Sequence, residues 1–147
     1  MKTLFVFLSF ICLLLPLHAV AKNGGIGIIK TVSGQADVIS SNKITVQAIP
    51  NMKIYRGDTI RTGSAGTVGI IFDDDTSLAL GPGSEIVVKE FLFEPAEHNL
   101  SFIARMVRGT FSFISGQITK LAPDKVQLET PEATLGVRGT TFAVEVK

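Results

Sequence analysis

An all-β fold, either a sandwich-like domain or a β-solenoid of short strands, is predicted by three observations on this sequence. Apolar residues recur with a period near two, as in Leu100, Phe102, Ala104 and Met106, where Ser101 and Arg105 face the other way and Ile103 is the exception. Turn residues punctuate these runs at Ser33-Gly34, Arg56-Gly57, Gly63-Ser64-Ala65-Gly66, Asp73-Asp74-Asp75, Gly81-Pro82-Gly83 and Arg108-Gly109. Glycine supplies positive φ at such places, and aspartate tolerates it while bonding its own backbone. From Ile26 onward no apolar period of 3.6 residues is sustained, so a helical bundle is not expected.

The chain opens on Lys2, a continuous apolar stretch from Leu4 to Leu15, and the triplet Ala19-Val20-Ala21. A charged start, an apolar run too short for the roughly 20 residues of a membrane span, and a small-residue triplet form the layout of a secretory signal peptide. Residues 1–21 are therefore expected to be removed after Ala21, leaving residues 22–147 as one β domain in the periplasm. Cys12 lies within the apolar run and would leave with it, so the mature domain holds no cysteine and no disulfide.

Strands are expected at Ile26 to Val32, Gln35 to Ser40, Ile44 to Ala48, Asp58 to Thr62, Thr67 to Phe72, Ser77 to Leu80, Ile86 to Phe93, Leu100 to Val107, Thr110 to Ile114, Val126 to Thr130, Thr134 to Val137 and Thr141 to Val146. Val68 to Phe72 and Phe91 to Phe93 are apolar more continuously and suit positions covered on both faces. The polar stretch Glu94 to Asn99, with Pro95, reads as a loop between two halves of the domain, with room for a helix of about one turn. The phenylalanines, paired on strand faces as Phe91 with Phe93 and Phe111 with Phe113, read as core.

Composition narrows the function classes. The chain has 14 basic and 13 acidic residues, scattered without a basic run, which gives no footprint for nucleic acid. No second apolar segment long enough to span a bilayer follows Ala21. The chain has no Gly-x-Ser-x-Gly, and the mature histidine, His98, falls in the polar loop. Glu94, Glu97, Glu129 and Glu132 offer a carboxylate pair on paper, but the chain has no Trp and Tyr55 is the single Tyr, a poor lining for a sugar cleft. Asp73, Asp74 and Asp75 are adjacent in sequence, point in different directions and lack the spacing of a calcium loop, so they read as a hairpin turn. No enzyme activity, cofactor or metal is expected.

From Gly57-Asp58-Thr59-Ile60-Arg61-Thr62-Gly63 onward the sequence resembles the FecR domain family. Four further segments agree in order: Ile71-Phe72-Asp73-Asp74-Asp75-Thr76-Ser77-Leu78, Arg108-Gly109-Thr110-Phe111, Thr130-Pro131-Glu132-Ala133, and Gly136-Val137-Arg138-Gly139-Thr140-Thr141-Phe142. The resemblance implies a β-rich domain working outside the inner membrane, in recognition or envelope architecture. The best-known members also carry a cytoplasmic anti-sigma segment and a transmembrane helix. Neither is recognisable here, so that activity is not carried over. Asp75 stands where the family's turn commonly has glycine.

The motif residues Gly57, Asp58, Thr62, Gly63, Asp73, Asp75, Gly109, Gly136, Arg138, Gly139 and Thr140 are expected to be structural. In the closing motif Leu135 and Val137 are apolar at odd positions, whereas Phe142, Val144 and Val146 are apolar at even ones. One extra residue at Gly139, as a bulge, would return both sets to a common face, with the Arg138 fork holding the corner through backbone carbonyls, Glu132 or Asp58, or with Arg138 a solvated edge residue. The leading functional expectation is a non-enzymatic interaction or scaffolding domain whose partner is an envelope protein or glycan. The alternative is a ligand-sensing domain that signals through a separate membrane partner.

Overall fold

Strand alternation and glycine corners together bend a single sheet around one apolar core. The computed structural model describes residues 24–139 and 141–147; the expected leader, residues 1–21, and motif residue Thr140 lie outside them. The strands are β1 (Gly27–Ser33), β2 (Ala36–Ile39), β3 (Thr45–Gln47), β4 (Lys53–Ile54), β5 (Thr59–Thr62), β6 (Thr67–Phe72), β7 (Ser77–Leu80), β8 (Glu85–Glu94), β9 (Asn99–Ile114), β10 (Val126–Glu129), β11 (Thr134–Gly136) and β12 (Thr141–Val146), with one helix, α1 (Gln117–Leu121).

The strands pair mainly antiparallel in the order β3-β2-β5-β8-β9-β7-β6-β1-β4, and β10 and β12 add to the other side of β9. The β10–β9 pairing is parallel. The result is an all-β, curled half-barrel, as expected in class. Its hairpin pairing makes it a rolled sheet and not the stacked coils of a solenoid.

β9 organises the roll. Its first half pairs with β8 and β10, and its second half pairs with β7 and β12. Phe102, Ala104 and Met106 face the core at even positions, whereas Phe111 and Phe113 face it at odd ones. An odd number of extra residues must separate those sets, because side chains alternate with period two. The register supplies it: Glu85 lies opposite Arg108 and Ile86 opposite Met106, so Val107 is the extra residue of a bulge. Arg108-Gly109, expected to be a turn between two strands, is therefore a corner inside one long strand. β8 solves the same problem at Lys89, which shifts the core-facing phase from Ile86 and Val88 to Phe91.

The stretch Glu94 to Asn99 is also corrected. It is the tip of the β8–β9 hairpin, a single 3-10 turn over Pro95–Glu97, and not a connection between halves. β6 alternates with one buried face, Val68, Ile70 and Phe72, so it is not covered equally on both sides.

The core runs through Ile29, Ile54, Ile60, Ile70, Leu78, Leu80, Ile86 and Met106. A file of phenylalanines crosses it: Phe72 meets Phe102 edge-on at 4.9 Å between centroids, Phe102 meets Phe113 at 5.8 Å, and Phe113 stacks on Phe142 at 5.1 Å. Core packing is thus the role of these rings.

Helix α1 was not expected. Five residues are too few to show a 3.6-residue period, and the helix is held by its neighbours rather than by propensity. It seals one end of the core with Ile118. The buried hydroxyl of Thr119 in the same helix has no hydrogen-bond partner among the described residues. A buried hydroxyl without a partner costs desolvation that an isosteric methyl avoids. Thr119→Val should therefore raise stability by about 1 kcal/mol, read as a higher denaturation midpoint with an unchanged slope.

Candidate functional site

The sheet does not close. β3 and β4 end the strand order, and they are joined only by residues 48–52. A cleft of about 540 Å³ lies in the seam between them, lined by Val38, Ser40, Asn42, Ile44, Val46, Met52, Lys53, Tyr55 and Asp58. It adjoins a second hollow that shares Ser40, Asn42, Tyr55 and Asp58 and reaches Gly24, Arg56 and Phe91.

Register explains why the cleft is apolar. Val46 lies opposite Val38 across the β2–β3 pair, so both point to the core side of the sheet. Val38 is buried, but Val46 is 45% exposed and Ile44, on the same face, is 58% exposed, because no strand among the described residues covers the seam. Apolar side chains of core orientation thus stand open to solvent beside Tyr55, itself 41% exposed.

Asp58 marks the polar end. Tyr55 to Asp58 form a tight turn in which Asp58 N donates to Tyr55 O at 3.1 Å and Tyr55 N donates to the Asp58 carboxylate Oδ2 at 2.9 Å. Gly57 has φ +89, the conformation required at the third position of such a turn. Burial pushes the Asp58 carboxyl above its usual range, and the hydrogen bond from Tyr55 N opposes that only in part. The folded state therefore binds a proton more tightly than the unfolded chain. Stability linked to Asp58 is full below the unfolded value of 3.8 and is lost as pH rises through the raised folded value. Asp58→Asn keeps an oxygen for Tyr55 N and removes the buried charge. It should melt at or above the wild type at pH 7, and the difference should shrink toward pH 3 in parallel thermal melts.

The other motif residues do not gather at this cleft. Thr62 is buried at the end of β5, where its hydroxyl donates to Gly81 O at 2.7 Å and accepts from Ser84 N at 2.8 Å. Gly63 N donates to Gln35 O at 2.8 Å, and Gly63 O accepts from Gly66 N and Gly83 N. Gly109, with φ +100, forms the β9 corner. Asp73 and Asp75 flank the β6–β7 hairpin tip, and Asp75 takes the left-handed conformation, φ +66, in place of glycine. The aspartate turn was expected; the role of the middle residue was not. Asp74 is completely buried and serves the first turn of α1.

The closing motif departs from expectation. β11 pairs with β10, whereas β12 pairs with β9, so Leu135 and Phe142 belong to different strands on different partners. The phase change marks a crossing between strands, and Gly139 is not a bulge within one. Its φ is outside the left-handed region, and a Cβ there would meet nothing within 4 Å. Arg138 is exposed and, among the described residues, contacts neither Glu132 nor Asp58. Val137 is the buried anchor of this segment, and Gly136 is exposed at the end of β11.

Among the described residues no cluster of three His, Cys, Asp or Glu side chains is placed to hold a metal, and no helix is long and apolar enough to cross a membrane. His98 is exposed at the β8–β9 hairpin tip, Glu129 is bound by Lys89 at 2.9 Å, and Glu94 accepts from Asn99 at 2.9 Å.

A family model described as FecR protein matches residues 58–147, more than half of the chain. The chain belongs to the FecR family. A solved structure described as a cell surface anchoring domain is 32% identical over 42% of this chain and 82% of that one, with a TM-score of 0.41. No curated protein matches. The FecR match begins at Asp58, so the seam cleft lies where the family segment meets the preceding β2–β3–β4 region.

Proposed function

We propose that this FecR-family chain is exported by removal of residues 1–21 and acts in the bacterial envelope as a non-enzymatic interaction domain, binding an envelope protein or glycan at the seam cleft. The observation that carries this reading is the exposure of Ile44 and Val46, core-facing side chains on a sheet edge that nothing among the described residues covers. Open apolar surface of that kind on a folded domain is characteristic of a contact site. The motif residues Thr62, Gly63, Asp73, Asp75 and Gly109 sit in the turns and corners of the sheet, which supports a structural role for the motif.

The test is a photo-crosslinking residue placed at Tyr55 in the cells that export the protein, with a second at the exposed position Arg138 as reference. A discrete adduct from position 55 and none from position 138 is the expected result. Equal labelling from both positions would count against a site at the seam. Mass spectrometry of the same material should find Lys22 as the first residue.

A further inference from the structure

Taking the seam as a binding site, we infer that its partner is an extended peptide segment, apolar at alternate positions and acidic at its flanks, which adds as a strand to the free edge of β3. The inference starts from hydrogen-bond parity. Across the β2–β3 pair, Ser40 N donates to Ile44 O at 2.9 Å and Ala48 N donates to Ala36 O at 2.9 Å. Bonded pairs in an antiparallel ladder recur every second residue, so 36 with 48, 38 with 46 and 40 with 44 are the bonded pairs. The main-chain groups of Thr45 and Gln47, at the intervening positions, therefore point away from β2. They point to an edge with no strand partner among the described residues.

That edge is short, three residues flanked by Lys43 and Pro50, but no strand among the described residues pairs with it. Sheet edges are ordinarily blunted by covering segments, inward charges or proline. Here the neighbouring side chains are Ile44 and Val46, and Tyr55 and Met52 stand across the cleft. An incoming strand would satisfy Thr45 and Gln47 through its backbone while covering the apolar pair with its own alternate side chains, the mode by which peptides extend exposed sheets. From Ile44 to Gln47 the edge runs about 13 Å at about 3.3 Å per residue, which suits a segment of about four or five residues.

Charge sets the flanks. Lys53 lines the cleft, Arg56 lines the adjoining hollow, and Lys43, exposed, precedes Ile44. The carboxylate in the lining, Asp58, is buried and engaged by Tyr55 N. The rim is cationic, so acidic residues on either side of the inserted strand complete it.

The experiment uses a random heptapeptide library panned on the exported, processed protein, with Val46→Asp as the counter-selection. Val46 is exposed, so this variant keeps the fold, which circular dichroism checks. The expected result is enrichment of peptides with alternating apolar residues and flanking Asp or Glu. Their affinity should fall at least tenfold in Val46→Asp and in Lys53→Glu, and their binding should shift the amide resonances of Thr45 and Gln47. Backbone N-methylation of the selected peptide at alternate residues should abolish binding in one phase and leave it in the other.

If selected peptides bind in the cleft but tolerate N-methylation in both phases, strand addition is overturned while the cleft remains a binding site. If no peptide is enriched and anionic phospholipid vesicles or peptidoglycan fragments bind instead and lose affinity in Val46→Asp, the peptide is overturned in favour of that partner. If neither peptides nor these probes bind, and Tyr55 gives no adduct in cells, both the strand and the site fail.

Discussion

Asp74→Ala is expected to lower stability by about 3 kcal/mol or more, through a lost network rather than a lost contact. Asp74 is fully buried at the β6–β7 tip, where its carboxylate accepts from Thr76 N at 3.0 Å, from Thr76 Oγ1 at 2.8 Å and from Ile118 N at 3.2 Å. Its backbone oxygen accepts from Gln117 N at 2.7 Å, and Gly116 N reaches Thr76 Oγ1 at 3.1 Å. The opening N–H groups of α1 thus find their partners on a hairpin some forty residues earlier. The first N–H groups of any helix lack intrahelical partners, and a carboxylate is well suited to supply one.

Truncation to alanine would strand Thr76 N, Thr76 Oγ1 and Ile118 N in the interior, each short of a bond worth about 1 kcal/mol or more. Asp74→Asn, which retains one acceptor oxygen, should lose roughly half as much. Chemical denaturation of the three proteins measures this order. A chelator should leave the wild-type midpoint unchanged, because the carboxylate that a cation would use is already occupied by N–H and O–H donors.

The same residue shows what could be read from the sequence. Three adjacent aspartates between apolar runs identify a hairpin turn, because each can bond its own backbone and accept positive φ. Which of them turns inward depends on α1, and α1 is a five-residue helix whose pattern Gln117-Ile118-Thr119-Lys120-Leu121 offers no period to detect. Local strands such as β5, β6 and β7 were legible because alternation and turns are short-range properties. β4 was not, since two residues carry no alternation.

The seam was illegible for a different reason. Ile44 and Val46 look like any half-buried strand, and only the strand order, with β3 and β4 at its two ends, shows that no strand among the described residues covers them. The FecR resemblance located the frame through Asp58, Thr62 and the glycine corners. It had nothing to say of the cleft's β2–β3–β4 side, which precedes the matched residues.

Phase changes were readable but had two causes. In the closing motif the change marks a passage between strands. In β9 it marks a bulge and a corner inside one strand, and the corner carries the largest mutational effect expected in this protein. Gly109 has φ +100, and a Cβ built on it would lie 2.2 Å from Ser84 Oγ, 2.5 Å from Ser84 Cα and 2.6 Å from Ser84 Cβ. Ser84 cannot move aside easily, because it is fully buried, its N donates to Thr62 Oγ1 at 2.8 Å, and its Oγ accepts from Thr110 N at 3.0 Å. Backbone strain alone is worth about 1–3 kcal/mol for a side chain in such a conformation, and the clash adds to it. Gly109→Ala should therefore cost at least about 3 kcal/mol, and Gly109→Val should leave little folded protein, since stabilities of single domains are only about 5–15 kcal/mol. Two reference glycines separate the causes. Gly83 has φ +65 with nothing within 4 Å of a Cβ, so Gly83→Ala should show the strain by itself, about 1–2 kcal/mol. Gly139 has neither positive φ nor a close neighbour, so Gly139→Val should melt within about 0.5 kcal/mol of the wild type. Urea denaturation of the set, read as midpoints at constant slope, should rank the losses Gly109→Val, Gly109→Ala, Gly83→Ala, Gly139→Val. A Gly109→Ala protein as stable as Gly139→Val would mean that β9 does not turn its corner against Ser84.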